Sequence, residues 1–246
     1  MTRHPRDRYI TVFGRKPVLE VLEQDTIEVA RVFLAKRARG GIVDRIRRVA
    51  AARGVEVEVR SAEQVSRISR RPKQDQGVAA DVEAPAMGTV EGWVEEHPGG
   101  PAVLLALDHV TTPGNVGMIL RTATVLGLAG VLLARRGSPE IGPYVIKASA
   151  GVAFRARVLR CATIEEGLSA LVGAGFTVYG LSDRGDDVLG AVAFAERSVL
   201  VLGNESDGVS AAAPHVHRWL RIPTAGSGDS LNVASAAAIA AWAATR

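Results

Sequence analysis

Cysteine is almost missing from the sequence. Cys161 is the single cysteine in 246 residues, so no disulfide can form within the chain and a cluster of thiolate metal ligands is excluded. The five histidines do not fall at spacings that bring several metal ligands together, and we expect no metal site. Cys161 itself is expected to be a small residue of the hydrophobic core.

Long apolar segments are also absent. Polar residues interrupt every apolar run, except in the Ala-rich stretch from Val233 to Thr245, which is too short to span a bilayer. Residues 1–9 are basic and polar and no apolar stretch follows them, so no signal peptide is predicted. Hydrophobic residues make up 47% and charged residues 23% of the chain, as in soluble globular proteins. We therefore expect a cytoplasmic protein without a membrane partner.

Positive charge is concentrated in the first third of the chain. Residues 1–83 carry 18 Lys and Arg against 12 Asp and Glu, whereas residues 84–246 carry 12 against 14. A basic segment of this kind is typical of a protein that meets a polyanion such as a nucleic acid. The alternative is a solvated basic surface in a protein of high isoelectric point.

The first 84 residues predict a small α/β unit. Hydrophobic residues at helical spacing alternate with strand-like runs, and Ser61 followed by Gln64 predicts a capping box at the start of a short helix. The other predicted elements are helices at 14–23 and 41–53 and strands at 29–34, 55–59 and 76–82. On the second of these helices, Ile42, Ile46 and Val49 form the expected buried stripe.

A linker and then a second unit are predicted to follow. Glycine and proline punctuate residues 85–101, which we predict to be a linker with a short helix around Trp93. From residue 102 to 246, continuous apolar runs alternate with helical patterns, which indicates a parallel β-sheet covered by helices on both faces. The runs are Val103–Leu107, Val131–Ala134, Phe176–Leu181, Val199–Leu202 and Trp219–Ile222. Ligands of such sheets bind at the carboxyl ends of the strands.

The first segment that carries chemistry follows the first of these runs. It extends from Leu107 to Ala123 and passes through a Pro-Gly turn into a helix. Asn115 is predicted to cap that helix. Arg121 stands between apolar neighbours of the helix, so its guanidinium needs an anionic partner or a long reach to solvent. The alternative is an asparagine cap with an internal salt bridge.

Two further segments follow later strands. Gly203, Asn204 and Glu205 open an acidic turn in which glycine lets a ligand approach the backbone. The alternative is an ordinary loop at a strand end. Ser230 is predicted to cap the C-terminal helix, which places Asn232 in its first turn. No segment has the glycine pattern of a dinucleotide or P-loop site, which counts against an oxidoreductase.

In this order, the three segments resemble the SpoU (TrmH) branch of the SPOUT RNA methyltransferases, over residues 102–246. The basic first part, with its closing Gln76-Gly77-Val78-Ala79 segment, resembles the ribosomal-protein-like substrate-binding domain of members that act on ribosomal RNA. The chain departs from the family pattern where Thr112, Thr224 and Ala234 replace the usual Asp, Met and Ser. Of these departures, Thr112 is expected to alter the fit of the substrate.

The resemblance implies a C-terminal deep trefoil knot, an obligate homodimer and S-adenosylmethionine as the cofactor. It implies methylation of a ribose 2′-hydroxyl, with a nucleotide of large-subunit ribosomal RNA as the expected target. The alternatives are a transfer-RNA 2′-O-methyltransferase, an antibiotic-resistance ribosomal-RNA methyltransferase and a non-catalytic RNA-binding protein. The residues implied to hold the cofactor, mainly through backbone groups, are Gly203, Asn204, Ile222, Gly226 and Leu231.

The same resemblance assigns catalytic roles. Because a guanidinium stays charged, we expect Arg121 to clamp a target phosphate and stabilise the developing alkoxide rather than to act as a base. Asn115, Ser230 and Asn232 are expected to orient the ribose. Glu205 is expected to hold Arg121 or to receive the proton through water. The expected RNA contacts of the basic part are Arg45, Arg48, Arg70, Arg71 and Lys73.

Overall fold

The structure, a computed structural model, describes residues 9–84, 86–225 and 230–246. The chain divides into two compact units near residue 85. In the smaller, N-terminal unit, strands and helices alternate. Its elements are β1 (Tyr9–Phe13), α1 (Arg15–Leu22), β2 (Val29–Ala35), α2 (Gly41–Ala52), β3 (Glu56–Arg60), α3 (Ala62–Ser69) and β4 (Val78–Glu83).

The four strands of this unit form one mixed sheet in the order β1-β4-β2-β3. β4 runs antiparallel to both of its neighbours, and β2 and β3 are parallel. Since side chains alternate across a sheet, Val12, Val32 and Leu34 share one buried face, on which α1 and α2 pack. The opposite face carries polar side chains such as Arg31 and Asp81, and α3 covers part of it.

The larger unit carries the remaining elements. They are β5 (Met87–Thr89), α4 (Val90–Glu96), β6 (Ala102–Leu107), α5 (Pro113–Val125), β7 (Gly130–Ala134), α6 (Pro143–Ala148), β8 (Val158–Cys161), α7 (Ile164–Gly173), β9 (Thr177–Leu181), β10 (Asp187–Val188), β11 (Arg197–Leu202), β12 (Arg218–Arg221) and α8 (Val233–Ala244). Short 3-10 turns lie at Val152–Phe154, Leu189–Ala191 and Ala213–His215.

Eight parallel strands form the sheet of the larger unit, in the order β10-β12-β9-β11-β6-β7-β8-β5. Every residue of β7 is buried, so both faces of the central strands are covered, and α5 and α8 pack against each other. This architecture confirms the predicted parallel α/β sheet. Within the described ranges, no helix has the length and apolar character needed to cross a bilayer.

The structure adds strands that the sequence pattern did not reveal. All five predicted strands of the larger unit are present, and β5, β8 and β10 join them. The sequence pattern did not predict β8 because this strand contains the polar Arg160. In the structure, Arg160 is only 4% exposed and its guanidinium lies 3.9 Å from the carboxylate of Glu140. The linker predicted at 85–101 is wrong for residues 87–89, which form β5, whereas the short helix predicted around Trp93 is confirmed as α4. Val90 and Trp93 of this stretch are buried in the core of the larger unit.

The predicted capping box is confirmed at α3. Ser61 Oγ accepts the backbone N–H of Gln64 at 3.1 Å, and Gln64 Oε1 accepts the backbone N–H of Ser61 at 2.9 Å. On α2 the buried residues are Val43, Ile46 and Ala50, so the buried stripe is rotated from the prediction by part of a turn.

Two other predicted helix caps are wrong. α5 begins after Thr112 with a proline in its first position, where the fixed φ of proline suits a helix start, and Asn115 lies inside the first turn. α8 is capped by Asn232, whose side-chain Oδ1 accepts the backbone N–H of Ala234 at 2.9 Å. Ser230 precedes this cap by two residues. The cap of α8 is therefore Asn232 in place of Ser230, and the side chain of Asn115 caps no helix.

Candidate active site

The carboxyl ends of β6, β9, β11 and β12 lie at one edge of the sheet, because the strands are parallel. Loops from this edge enclose a cleft with a volume of about 600 Å³. Its lining comes from residues 181–184 after β9, 202–209 after β11, 219–224 at β12 and 230–236 at the start of α8. This is the edge at which parallel α/β sheets bind their ligands.

Asp108 fixes the loop after β11 to the end of β6. The residue directly follows the buried strand and its side chain has no exposed surface. Its Oδ2 accepts the backbone N–H groups of Ser210 at 2.7 Å and Ala212 at 3.0 Å, and its Oδ1 lies 2.7 Å from Nδ1 of His109. A carboxylate removed from water needs such donors. Asp108 therefore anchors the loop that supplies one wall of the cleft.

The turn after β11 is closed by its own side chain. Asn204 Oδ1 accepts the backbone N–H groups of Ser206 and Asp207, both at 2.7 Å. A Cβ atom on Gly203 would lie 1.9 Å from the backbone of Gly208, so only glycine is possible there. The glycine for which we predicted close approach of a ligand lines the cleft, and its lack of a side chain also makes room for the opposite side of the turn.

A row of hydrogen bonds joins the three chemical segments. Asn115 Nδ2 donates to Glu205 Oε1 at 2.5 Å, and Asn232 Nδ2 donates to Asn115 Oδ1 at 3.1 Å. Asn115 is only 5% exposed, so both ends of its amide need partners, and they come from the loop after β11 and the start of α8. Residues that are 90 and 117 positions apart in the chain thus share one site, in which Asn115 is the central member.

The cleft combines an apolar wall with an acidic border. Leu202, Ile222 and Leu231 supply apolar surface to it. The acidic residues of its lining are Asp183, Glu205 and Asp207, against one basic residue, Arg184. Apolar surface suits a flat ring, and carboxylates stabilise a cation through the Coulomb attraction between opposite charges. The arrangement can therefore hold a small molecule that is apolar in one part and positively charged in another.

Most of the residues predicted for the cofactor and substrate lie in or beside this cleft. The predicted residues that line it are Gly203, Asn204, Glu205, Ile222, Ser230 and Leu231. Asn115 and Asn232 reach the same place through their hydrogen bonds to Glu205 and to each other. Gly226 lies outside the described residues.

Arg121 does not join this cluster. It is exposed on α5 and shares a helical face with Met118 and Val125, which are 43% and 72% exposed. It forms no hydrogen bond or ion pair with the part of the chain that the structure describes. The expected pair between Glu205 and Arg121 is not formed: the hydrogen bond of the Glu205 side chain goes to Asn115, and Arg121 lies outside the lining of the cleft.

The predicted RNA contacts fall into two groups in the N-terminal unit. Arg45 and Arg48 are exposed on α2, and Nη2 of Arg45 lies 2.7 Å from the carboxylate of Glu23. Arg70, Arg71 and Lys73 are exposed at and after the end of α3. Because α2 and α3 pack on opposite faces of the sheet, the five residues do not form a single patch.

Sequence reasoning gave no role to Asp108 or to the cleft residues that follow β9. The signal for Asp108 was a carboxylate placed directly after a fully apolar strand, where a buried charge requires hydrogen-bond donors. The segment Ser182-Asp183-Arg184 carried the same kind of signal, because polar residues after a parallel strand lie at the ligand-binding edge.

Cys161 lies in the hydrophobic core, as predicted. It is 4% exposed, and burial raises the pKa of its thiol to about 12. A thiol with so high a pKa is a poor nucleophile at neutral pH. Nowhere in the described ranges do three or more His, Cys, Asp or Glu side chains form a group that could hold a metal ion.

The fold and the site together define an α/β enzyme with a small-molecule cleft at the end of a parallel sheet. Over 96% of its length the chain resembles the solved structure of an AdoMet-bound rRNA methyltransferase from Sinorhizobium meliloti, with a TM-score of 0.66 and 27% sequence identity across 87% of that chain. Residues 102–242 match the SpoU rRNA methylase family, and residues 11–87 match the RNA 2′-O ribose methyltransferase substrate-binding family. The chain belongs to the SpoU rRNA methylase family and is an RNA methyltransferase.

Two curated relatives are similar over most of the chain. An uncharacterized tRNA/rRNA methyltransferase from Mycolicibacterium paratuberculosis is 32% identical over 233 residues, which are 93% of this chain and 74% of the relative. The 23S rRNA (guanosine-2′-O-)-methyltransferase RlmB from Xylella fastidiosa is 30% identical over 244 residues, which are 96% of this chain and 95% of the relative. The family resemblance proposed from the three segments is confirmed.

Proposed function

We propose that this protein methylates a ribose 2′-hydroxyl of ribosomal RNA and uses S-adenosylmethionine as the methyl donor. The row of hydrogen bonds from Glu205 through Asn115 to Asn232 carries this proposal, because it gathers an acceptor and two amides beside a cofactor-sized cleft. The 23S rRNA guanosine-2′-O-methyltransferase from Xylella fastidiosa, 30% identical, supports the choice of substrate. The AdoMet-bound relative from Sinorhizobium meliloti, 27% identical, supports the cofactor.

The residues of the cleft fit this cofactor. A volume of about 600 Å³ falls within the roughly 300–1,000 Å³ of small-molecule sites. Ile222 and Leu231 would pack against the adenine ring, backbone groups at Gly203 and Asn204 would bind its polar parts, and the acidic border would balance its positive charge. When bound, S-adenosylmethionine supplies an electrophilic methyl group on a sulfonium.

The protein's own groups would then prepare the ribose. A 2′-hydroxyl is weakly acidic, so it must be aligned with the methyl group and relieved of its proton. The amides of Asn115 and Asn232 would orient the ribose, and the hydroxyl of Ser230 would add a third polar contact. We assign the proton to the carboxylate of Glu205, directly or through water. Since one of its oxygens is held by Asn115, the carboxylate keeps a fixed direction.

A homodimer completes this proposal. Met118 and Val125 on α5, and Ile239 and Trp242 on α8, are between 40% and 72% exposed, and the two helices pack side by side. We propose that a second copy covers this apolar face. Arg121 lies on the same face, so it would meet the interface, where it can clamp a phosphate of the RNA. The deep C-terminal knot that the family resemblance implies belongs to the same proposal.

Three measurements on the purified full-length chain test this function. Titration calorimetry should detect S-adenosylmethionine binding, and light scattering at micromolar concentration should give the mass of a dimer. Methyl transfer from tritiated cofactor should label ribosomal RNA from cells that lack the gene, and nuclease digestion should place the label on a 2′-O-methylated nucleotide. Absence of heat with the cofactor would favour a non-catalytic RNA-binding protein. Label on transfer RNA alone would overturn the ribosomal target.

A further inference from the structure

The polar face of the N-terminal sheet holds a second groove, the strand groove, with a volume of about 430 Å³. All four strands of the sheet and α3 contribute to its lining. Its basic and aromatic members are Tyr9, Arg31, Phe33, Arg60, Arg67 and Arg70. The groove lies entirely within the N-terminal unit, on the face of the sheet opposite to α1 and α2.

Arg31 is held at the centre of this groove with its guanidinium in a fixed plane. Its Nε lies 3.1 Å from Asp81 Oδ2 and its Nη1 lies 3.9 Å from Glu58 Oε1. The guanidinium carbon stands 5.6 Å from the ring centre of Tyr9 and 5.3 Å from that of Phe33. The two carboxylates lie deep, at 9% and 13% exposure, whereas Arg31 is 38% exposed. The groove therefore presents the cation outward and its counter-charges inward.

Further arginines line the border of the groove. Arg60 and Arg67 are 47% and 76% exposed. Arg60 pairs with the same Glu58 that contacts Arg31, so one carboxylate serves two guanidiniums. Arg67 pairs with Glu63, itself 75% exposed, and such a solvated pair is weak and readily exchanged. Arg70 also lines the groove but has a partner of its own; without it, the lining holds three guanidiniums against two carboxylates, an excess that favours an anion.

We propose that the strand groove binds an unpaired segment of the RNA substrate. Arg60 and Arg67 would hold phosphates, for which guanidinium is the best-matched side chain. The planar guanidinium of Arg31 and the ring of Tyr9 offer stacking surfaces to an unpaired base. A base inside a duplex cannot reach these surfaces. This inference rests on the proposed function and names the surface through which the N-terminal unit meets RNA.

A double substitution tests the proposal in the full-length protein. Arg60→Gln with Arg67→Gln removes two exposed charges, and Lys16→Gln with Arg37→Gln removes two exposed charges elsewhere in the same unit. The probe is a short fluorescent oligouridylate, followed by anisotropy over a salt series. The groove variant should bind at least about tenfold more weakly and lose about 1.4 from the log–log salt slope, at about 0.7 per contact to a single strand. The control should stay within about threefold of the wild type.

Controls separate this inference from the proposed function. Cofactor binding by calorimetry and the melting temperature should be equal in all three proteins. If the wild-type protein binds no RNA, the proposed function fails. If the wild type binds and the groove variant keeps its affinity and salt slope, or if the control loses as much, only the strand groove is overturned. Photo-crosslinking with 4-thiouridine gives an independent reading: the peptide containing Tyr9 or Phe33 should carry the label, and label confined to α2 would contradict the proposal.

Discussion

The cleft of the larger unit and the strand groove of the N-terminal unit are built in opposite ways. The cleft is made of loops that leave the ends of parallel strands, and its central contacts are hydrogen bonds of Asn115 and Asn232. The strand groove is made of side chains within the strands, and ion pairs of Arg31 organise it. Because of this difference, we expect the two sites to fail differently: changes in the cleft should lower turnover, and changes in the groove should lower RNA affinity.

The largest expected effect is on turnover, from Arg121→Ala. It should lower kcat by about a hundredfold or more, because the change removes the guanidinium that, in the proposed dimer, clamps the RNA phosphate and stabilises the developing charge. Cofactor affinity should stay unchanged, since Arg121 lies outside the cleft. Single-turnover methyl transfer measures the turnover, and calorimetry measures the cofactor affinity. Arg121→Lys keeps the charge without the planar donors, so its turnover should lie between those of the wild type and Arg121→Ala. Activity within about tenfold of the wild type, about 1.4 kcal/mol, would contradict the role.

Asn115 allows a finer test of the cleft. Asn115→Ala removes the centre of the row and should lower kcat by about ten- to a hundredfold while RNA affinity holds. Asn115→Asp should cost more, because it puts a carboxylate against Glu205 across a contact that is now 2.5 Å. For both variants, single-turnover kinetics measures the turnover and anisotropy measures the affinity for RNA. Equal losses of RNA affinity and turnover would erase the contrast between the two sites.

Asp108 should affect stability more than chemistry. Asp108→Ala leaves the backbone N–H groups of Ser210 and Ala212 without their acceptor and should lower the free energy of unfolding by about 2–3 kcal/mol. Denaturant unfolding measures this loss. The control Asp207→Ala removes an exposed carboxylate of the same loop and should change stability by less than about 0.5 kcal/mol. If both variants unfold alike, Asp108 does not anchor the loop.

The contrast between the two sites also explains what the sequence could predict. The hydrogen-bonded row of Asn115, Glu205 and Asn232 comes from three continuous segments, and the local patterns of these segments are enough to indicate its members. The hydrogen bonds that join them span 90 and 117 residues, and no local pattern contains that information. The residues of the strand groove are scattered over four strands, one or two on each, and the end of α3, so nothing in the linear sequence groups Arg31 with Arg60.

Some elements escaped prediction for a related reason. Parallel strands were recognised where they were continuously apolar, and β8 was missed because Arg160 and Cys161 occupy half of it. Its neighbours β7 and β5 make it a strand by pairing on both sides, and pairing is a property of the assembled sheet. The cap predictions for α5 and α8 were wrong for a similar reason. Asn115 has the side chain of a cap, but a proline in the first position starts α5 earlier, and the amide bonds across the site instead.

The smallest expected effect concerns Cys161, which lies in neither site. Its pKa rises from an ordinary 9.0 to about 12 on folding because burial penalises the thiolate. As pH rises, the thiol of the unfolded chain therefore loses its proton first. The contribution of this thiol to the free energy of unfolding is complete below pH 9 and is lost between pH 9 and 12. Cys161→Ala should flatten the loss of unfolding free energy in that range, measured by urea titration. Iodoacetamide should alkylate the native wild-type thiol at least about a hundredfold more slowly than the urea-unfolded one. Comparable rates would show that the core around β8 opens far more readily than its burial implies.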